Sequence, residues 1–186
     1  MTTWWWILPD ADTYRSYTLG NAPRSIIELT ERFRSGEPLI SSWQPPQLIV
    51  YKEEGGSDLA LGDFPALAGS VPLLVSSIAW EVLSPLIKDQ VECLAVDCQD
   101  NHYMALNVQV ISALDESGSL VKRDASSGEI RRVEAYAFIK GAVGDQHIFR
   151  LPQESLKRTF VDGDFRQLVL SSGLTGLLFF DVPMNE

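Results

Sequence analysis

The sequence predicts an α+β fold: a largely antiparallel sheet with a few short helices packed on it. Three observations carry this expectation. Short apolar runs, some with two-residue alternation, recur between polar turns, as strands with one or both faces covered require. A few segments instead place apolar residues at helical spacing, two of them behind a residue able to cap. The strands also come in runs with the helices grouped between them, rather than in the strict alternation of a parallel sheet.

The elements follow in order. Thr2 to Leu8 reads as an opening strand closed by Pro9, with Trp4 and Trp6 on one face and Trp5 on the other, so both faces should be covered. Ser25 to Arg34 reads as a helix whose inner side gathers Ile26, Ile27, Leu29 and Phe33, with Gly36 as its stop. Trp43-Gln-Pro-Pro46 is a rigid extended entry to a strand at Leu48 to Tyr51, followed by a polar turn from Lys52 to Asp58. Ser76 or Ser77 can cap a helix that runs to about Pro85 or is kinked by it, and Ile78, Val82 and Leu86 at i, i+4, i+8, with Trp80 and Leu83 flanking, are expected to face inward. Val91 to Cys98 and His102 to Leu114 read as two strands joined by a turn. In the second, Met104, Leu106, Val108 and Val110 face opposite to Asn107 and Gln109. Leu120 to Lys122 and Ile130 to Lys140 suggest a hairpin, and Gln146 to Leu151 a further strand. A helix at Phe165 to Leu170 follows Asp162 or Asp164 and ends near Gly173. Leu177 to Val182 closes the chain as a buried strand. With no internal repeat or low-complexity linker, residues 1–186 read as one domain.

Composition narrows the function classes. The chain carries a net charge of −10, concentrated in residues 51–116, where eleven acids face only Lys52 and Lys88. Such a stretch disfavours nucleic acid, whose phosphates need Lys and Arg; it either attracts a basic partner or only aids solubility. The start, Met1-Thr-Thr-Trp-Trp-Trp-Ile-Leu-Pro, lacks the basic region of a signal peptide. The apolar stretch from Leu59 to Trp80 is broken by Asp63, Pro65 and Pro72. No membrane association is therefore expected, and a cytoplasmic location is. Cys93 and Cys98 are five apart, so on one regular strand they point to opposite faces, and they match no zinc or redox spacing. Two reduced, half-buried thiols are the expectation.

Catalytic chemistry finds little support. Histidines occur only at 102 and 147. Asp97, Asp100 and His102 lie close in sequence and could in principle serve a metal-dependent hydrolase or nuclease, but Asp in a tight turn is ordinary turn chemistry. Glu53 and Glu54, adjacent on a turn, hold no fixed carboxylate separation. Gly173-Leu-Thr-Gly176 is too short for a phosphate cradle. Nucleophile-elbow, Walker and zinc-helix motifs do not occur. The Lys122-Arg123 and Arg131-Arg132 patch is short and reads as an internal complement to the acids. Neither catalytic residue, metal nor cofactor is expected.

One set of motifs points further. Asp63-Phe64-Pro65 is followed by Val71-Pro-Leu-Leu-Val-Ser-Ser77 and a helix ending at Val82-Leu83. Val91-Glu-Cys-Leu-Ala-Val96, Tyr103-Met-Ala-Leu-Asn-Val108 and Ala113-Leu-Asp115 come next. Ile148-Phe-Arg-Leu151, an aspartate-rich turn, a short helix and Gly173-Leu-Thr-Gly-Leu-Leu-Phe179 close the series. In this order the chain resembles the eleventh immunity-protein family of bacterial polymorphic toxin systems over about residues 60–182, with residues 1–59 matching less clearly. One departure is Ala95, where the family pattern leads one to expect proline. The resemblance implies a non-catalytic protein that binds and neutralises a cognate toxin encoded nearby, protecting its own cell in competition between bacteria. It does not imply which toxin. On that reading Glu53, Glu54, Asp58, Asp97, Asp100, Asp115 and Glu116 are the candidate acidic contacts. Tyr51 is the candidate aromatic anchor, with Trp43 the other aromatic but expected in the core. The enzyme reading and a structural or regulatory oligomer are the alternatives. Oligomeric state is not legible in the sequence.

Overall fold

The computed structural model describes residues 3–20, 23–52, 59–68, 72–99, 102–154 and 158–185. Its strands are β1 (Trp5–Pro9), β2 (Ser16–Leu19), β3 (Gln47–Tyr51), β4 (Leu73–Ser76), β5 (Val91–Ala95), β6 (Asp97–Cys98) and β7 (Tyr103–Val108). They continue as β8 (Leu120–Arg123), β9 (Ile130–Ala135), β10 (Ile148–Phe149), β11 (Thr159–Val161) and β12 (Leu177–Asp181). The helices are α1 (Pro23–Arg34), α2 (Ser77–Ile87), α3 (Lys140–Val143) and α4 (Gly163–Ser171). The class is α+β, as predicted, although the strands form several sheets rather than one: β10-β11-β1-β12, β2-β3-β6, β4-β7-β5 and the hairpin β8-β9. All described pairings within these sheets are antiparallel except β3 with β6. Among the described residues no helix is long and apolar enough to cross a membrane.

Side-chain alternation builds the layers. On β4, Leu73 and Val75 enter one core while Leu74 enters another, and on β7 Leu106 and Ala105 divide the same way. The β4-β7-β5 sheet is thus covered on both faces. One face meets α2 and α4 through Ala79, Leu83, Phe165 and Val169; the other meets α1, β2 and β3 through Leu29, Phe33, Tyr17 and Leu48. The β1 sheet separates the first core from a third, in which Trp4 packs edge-on against Phe138 at 5.8 Å and Phe149 at 5.2 Å. Trp5 packs against the first core and Trp6 against the third, so β1 is covered on both sides as its alternation requires. Cys93 and Cys98 also divide between cores, both half-buried and free, and burial pushes the Cys93 thiol up to about 11.

The motifs quoted above meet in space. The Ser76 hydroxyl accepts the Ala79 N–H at 3.0 Å, capping α2, and donates to Asp63 Oδ1 at 2.7 Å. Asp63 Oδ2 accepts the Thr175 N–H at 2.9 Å and its hydroxyl at 3.1 Å. Gly176, at φ +91°, lets this turn close against Phe64, whose carbonyl oxygen a Cβ there would approach to 3.4 Å. Arg150, 2% exposed, donates through Nε at 3.1 Å and Nη2 at 2.6 Å to the Val108 carbonyl, and through Nη2 to Asn107 Oδ1 at 3.3 Å. Burial draws its guanidinium down to about 10. Asn107 passes the network on, its Nδ2 donating to Glu92 at 2.8 Å. Burial tends to raise the Glu92 carboxyl, but hydrogen bonds from Asn107 and the Leu39 and Ile40 amides outweigh it and hold Glu92 below its ordinary range. These residues hold layers together, which explains their spacing without a reactive role.

Several expectations are corrected. On α2 the fully buried stripe is Ala79, Leu83 and Ile87; Leu86 and Trp80 pack half-buried against the same core, while Ile78 is 63% exposed instead of inward. The helix continues through Pro85 to Ile87. Ile27 on α1 is exposed, not inward. The last strand is a sheet edge with Leu178 and Phe180 exposed, not a buried strand. Asn107 is buried because a second layer covers its face of β7. The strand expected over His102 to Leu114 stops at Val108, and the one expected over Ile130 to Lys140 stops at Ala135. The short strands β2, β4 and β11 are additions.

Candidate partner-binding site

Of the eight proposed contact residues, Tyr51 and Asp97 fall on one sheet. β3 buries Leu48 against the second core and half-buries Val50, so Gln47, Ile49 and Tyr51 must point outward. Register places Thr18 beside Ile49 and Ser16 beside Tyr51 on β2, and Asp97 beside Gln47 on β6. The Asp97 N–H is anchored on the Pro46 carbonyl at 2.9 Å. The outer face of β2-β3-β6 therefore carries Thr18, Gln47, Ile49, Tyr51 and Asp97, with Ile49 45% and Tyr51 48% exposed. At 3.2–3.4 Å per residue, Gln47 to Tyr51 spans roughly 13 Å. An aromatic and a β-branched side chain flanked by hydrogen-bonding groups and a carboxylate suit a protein surface better than a reactive centre.

Trp43 is held at the edge of the second core, as expected. Its indole N–H donates to the Ala95 carbonyl at 2.7 Å, Phe33 packs edge-on at 5.8 Å, and the Arg32 guanidinium lies 5.3 Å over the ring. Asp115 and Glu116 are not on this face; they sit beside the β8-β9 hairpin. Asp115 Oδ1 accepts the Ser117 hydroxyl at 2.7 Å and the N–H groups of Ser117 and Gly118 at 3.0 Å each, which hold its carboxyl below the usual range. Glu116 pairs with Arg123 at 2.5 Å, which lowers its carboxyl likewise. Both carboxylates thus have local hydrogen-bond partners, and Glu116 a local cation. Lys122 pairs with Glu134 at 2.6 Å, so Lys122 and Arg123 of the basic patch both serve internal partners. Glu53, Glu54, Asp58 and Asp100 lie outside the described residues. Sequence reasoning missed Gln47, Ile49 and Thr18. The alternation through Gln47 to Tyr51 is the signal that could have placed Ile49 outside.

The Asp97, Asp100, His102 grouping receives no support from its described members. Among the described residues, the set of side chains near enough to share a metal ion is His147, Asp162 and Asp164, whose ligand atoms lie within 4.8 Å of one another. Two of these are already committed. His147 Nδ1 and Asp162 Oδ2 hydrogen-bond at 2.8 Å, and Asp162 Oδ1 accepts the Phe165 N–H at 3.0 Å as the N-cap of α4. That leaves exposed Asp164 as the uncommitted carboxylate of the three, a poor basis for a protein-only metal site.

No curated protein matches the chain significantly. A family model described as the immunity protein family Imm11 matches residues 91–183, from β5 through α4 and β12, half of the 186-residue chain. The match includes Arg150, Asp162 and Thr175, whose structural contacts are described above, and Asp97 at the edge of the open face. The chain belongs to the immunity protein family Imm11.

Proposed function

We propose that this immunity protein acts as one unit over residues 1–186, and that it neutralises a protein toxin encoded nearby by stoichiometric binding rather than by turnover. The observation that carries the reading is the open face of β2-β3-β6, where Ile49 and Tyr51 stand exposed on the same hydrogen-bonded sheet as Asp97, which lies opposite Gln47. Family membership supports a toxin as the partner. The charge of residues 51–116 supports a basic contact surface on it, since opposite potentials steer encounter and reject wrong partners. Tyr51 supplies the anchor, and about 800 Å² on each side would make a stable interface of ordinary size.

Co-expression with the product of the adjacent reading frame tests this. Cells carrying both should survive, and cells carrying the Tyr51→Ala, Ile49→Asp double variant should not, although the variant accumulates as folded protein. Survival with the double variant would remove the open face from the proposal, and death with the wild type would remove the partner.

A further inference from the structure

A cavity of about 900 Å³ opens on the far side of the β1 sheet from the first core, within the size range of small-ligand sites. Its composition is divided. Trp4, Phe138 and Met184 give it an apolar, partly aromatic wall, while Asp145 and Asp162 give it oxygen acceptors, the latter beside the His147 ring. Lys140 is the lysine of the lining and is exposed at its rim. The Asp162 carboxylate, with a side chain only 12% exposed, pairs with His147 through Oδ2 and accepts the Phe165 N–H through Oδ1, and neither arginine nor lysine is among its recorded partners. Each carboxylate oxygen has room for a second donor. Asn185 donates its Nδ2 to the Gly118 carbonyl at 2.7 Å, which leaves its Oδ1 as a further acceptor at the lining.

We infer that this cavity binds a guanidinium group on an apolar stem, the chemistry of an arginine side chain. A planar cation with five N–H donors in a fixed fork can serve spaced acceptors at once and lie against aromatic rings, which a compact ammonium does less well. The lining fits that division: carboxylates and a carbonyl acceptor for the head, Trp4, Phe138 and Met184 for the stem. The cavity is built on β1 and the third core, not on the β2-β3-β6 face, so this site stands apart from the toxin-binding proposal and is tested without any toxin.

Titration of the purified full chain with butylguanidinium, followed by amide chemical shifts, is the test. The shifts of Gly144 to His147 should saturate with a dissociation constant on the order of 1 mM, as expected for so small a ligand. Butylurea, the same shape without the charge, should bind at least about tenfold more weakly, and butylammonium should also be weaker. Asp145→Asn and Asp162→Asn should each weaken binding several-fold. Asparagine at 162 remains a good N-cap, so an unchanged melting temperature separates lost charge from lost fold. No shift at about 20 mM butylguanidinium, at least twenty times the expected constant, would overturn the site. Equal binding of butylurea would overturn its charge recognition, and equal binding of butylammonium its preference for the planar fork.

Discussion

The β4-β7-β5 and β2-β3-β6 sheets have three strands each and share a core, yet they carry opposite burdens. The first is covered on both faces, and of the six residues of β7 all but Met104 are buried. The second is covered on one face and leaves Ile49 and Tyr51 in solvent. Burial on both sides makes a strand responsible for stability. A rigid strand with one uncovered face carrying large apolar groups is free to take on recognition, since its outward side chains contribute little to folding.

This contrast sets the order of expected effects. Leu106→Ala, at the centre of the covered sheet, should cost about 3 kcal/mol of unfolding free energy, read by urea denaturation. Arg150→Leu should cost about 2 kcal/mol, because it strands the Val108 carbonyl and Asn107 Oδ1 without their donor. A loss below about 0.5 kcal/mol would show that the network holds no layers together.

Glu92→Gln sharpens the comparison through pH. The Glu92 carboxyl lies below its ordinary value in the folded chain, so its ionised form contributes stability above the unfolded value of about 4.3. That contribution is lost as pH falls through the lower folded value. The wild type should therefore lose stability on acidification below about pH 4.3 more steeply than Glu92→Gln, as read by thermal melts from pH 7 to 3. Parallel curves would mean that Glu92 titrates alike in both states. Tyr51→Ala, on the open face, should change stability by less than about 0.5 kcal/mol while weakening toxin binding by about 2 kcal/mol, roughly thirtyfold. A large stability loss would place Tyr51 in the architecture instead.

What the sequence disclosed depended on how local the determinant was. The caps at Ser76 and Asp162 were legible because each is satisfied within three residues. The choice among stripes on α2 was not: Ser77–Ile87 is apolar nearly all round, and spacing alone does not say that small Ala79 seats the helix against the sheet. The Leu177–Asp181 run has core composition, yet it lies at a sheet edge with Phe180 stacked on Trp6 at 4.3 Å, an arrangement set by which layers exist. The candidate site divided in the same way. Tyr51 was singled out as an aromatic and local alternation turns it outward, while the partners of Asp115 and Glu116 come from folding that charge counting overlooks.

The most direct measurement is a titration of the neighbouring toxin's activity with purified wild type and with the Tyr51→Ala, Ile49→Asp double variant. The account predicts that wild type abolishes activity at one equivalent, and that the double variant, with a melting temperature close to wild type, leaves it largely intact. Abolition at well under one equivalent, or equal inhibition by the double variant, would contradict it.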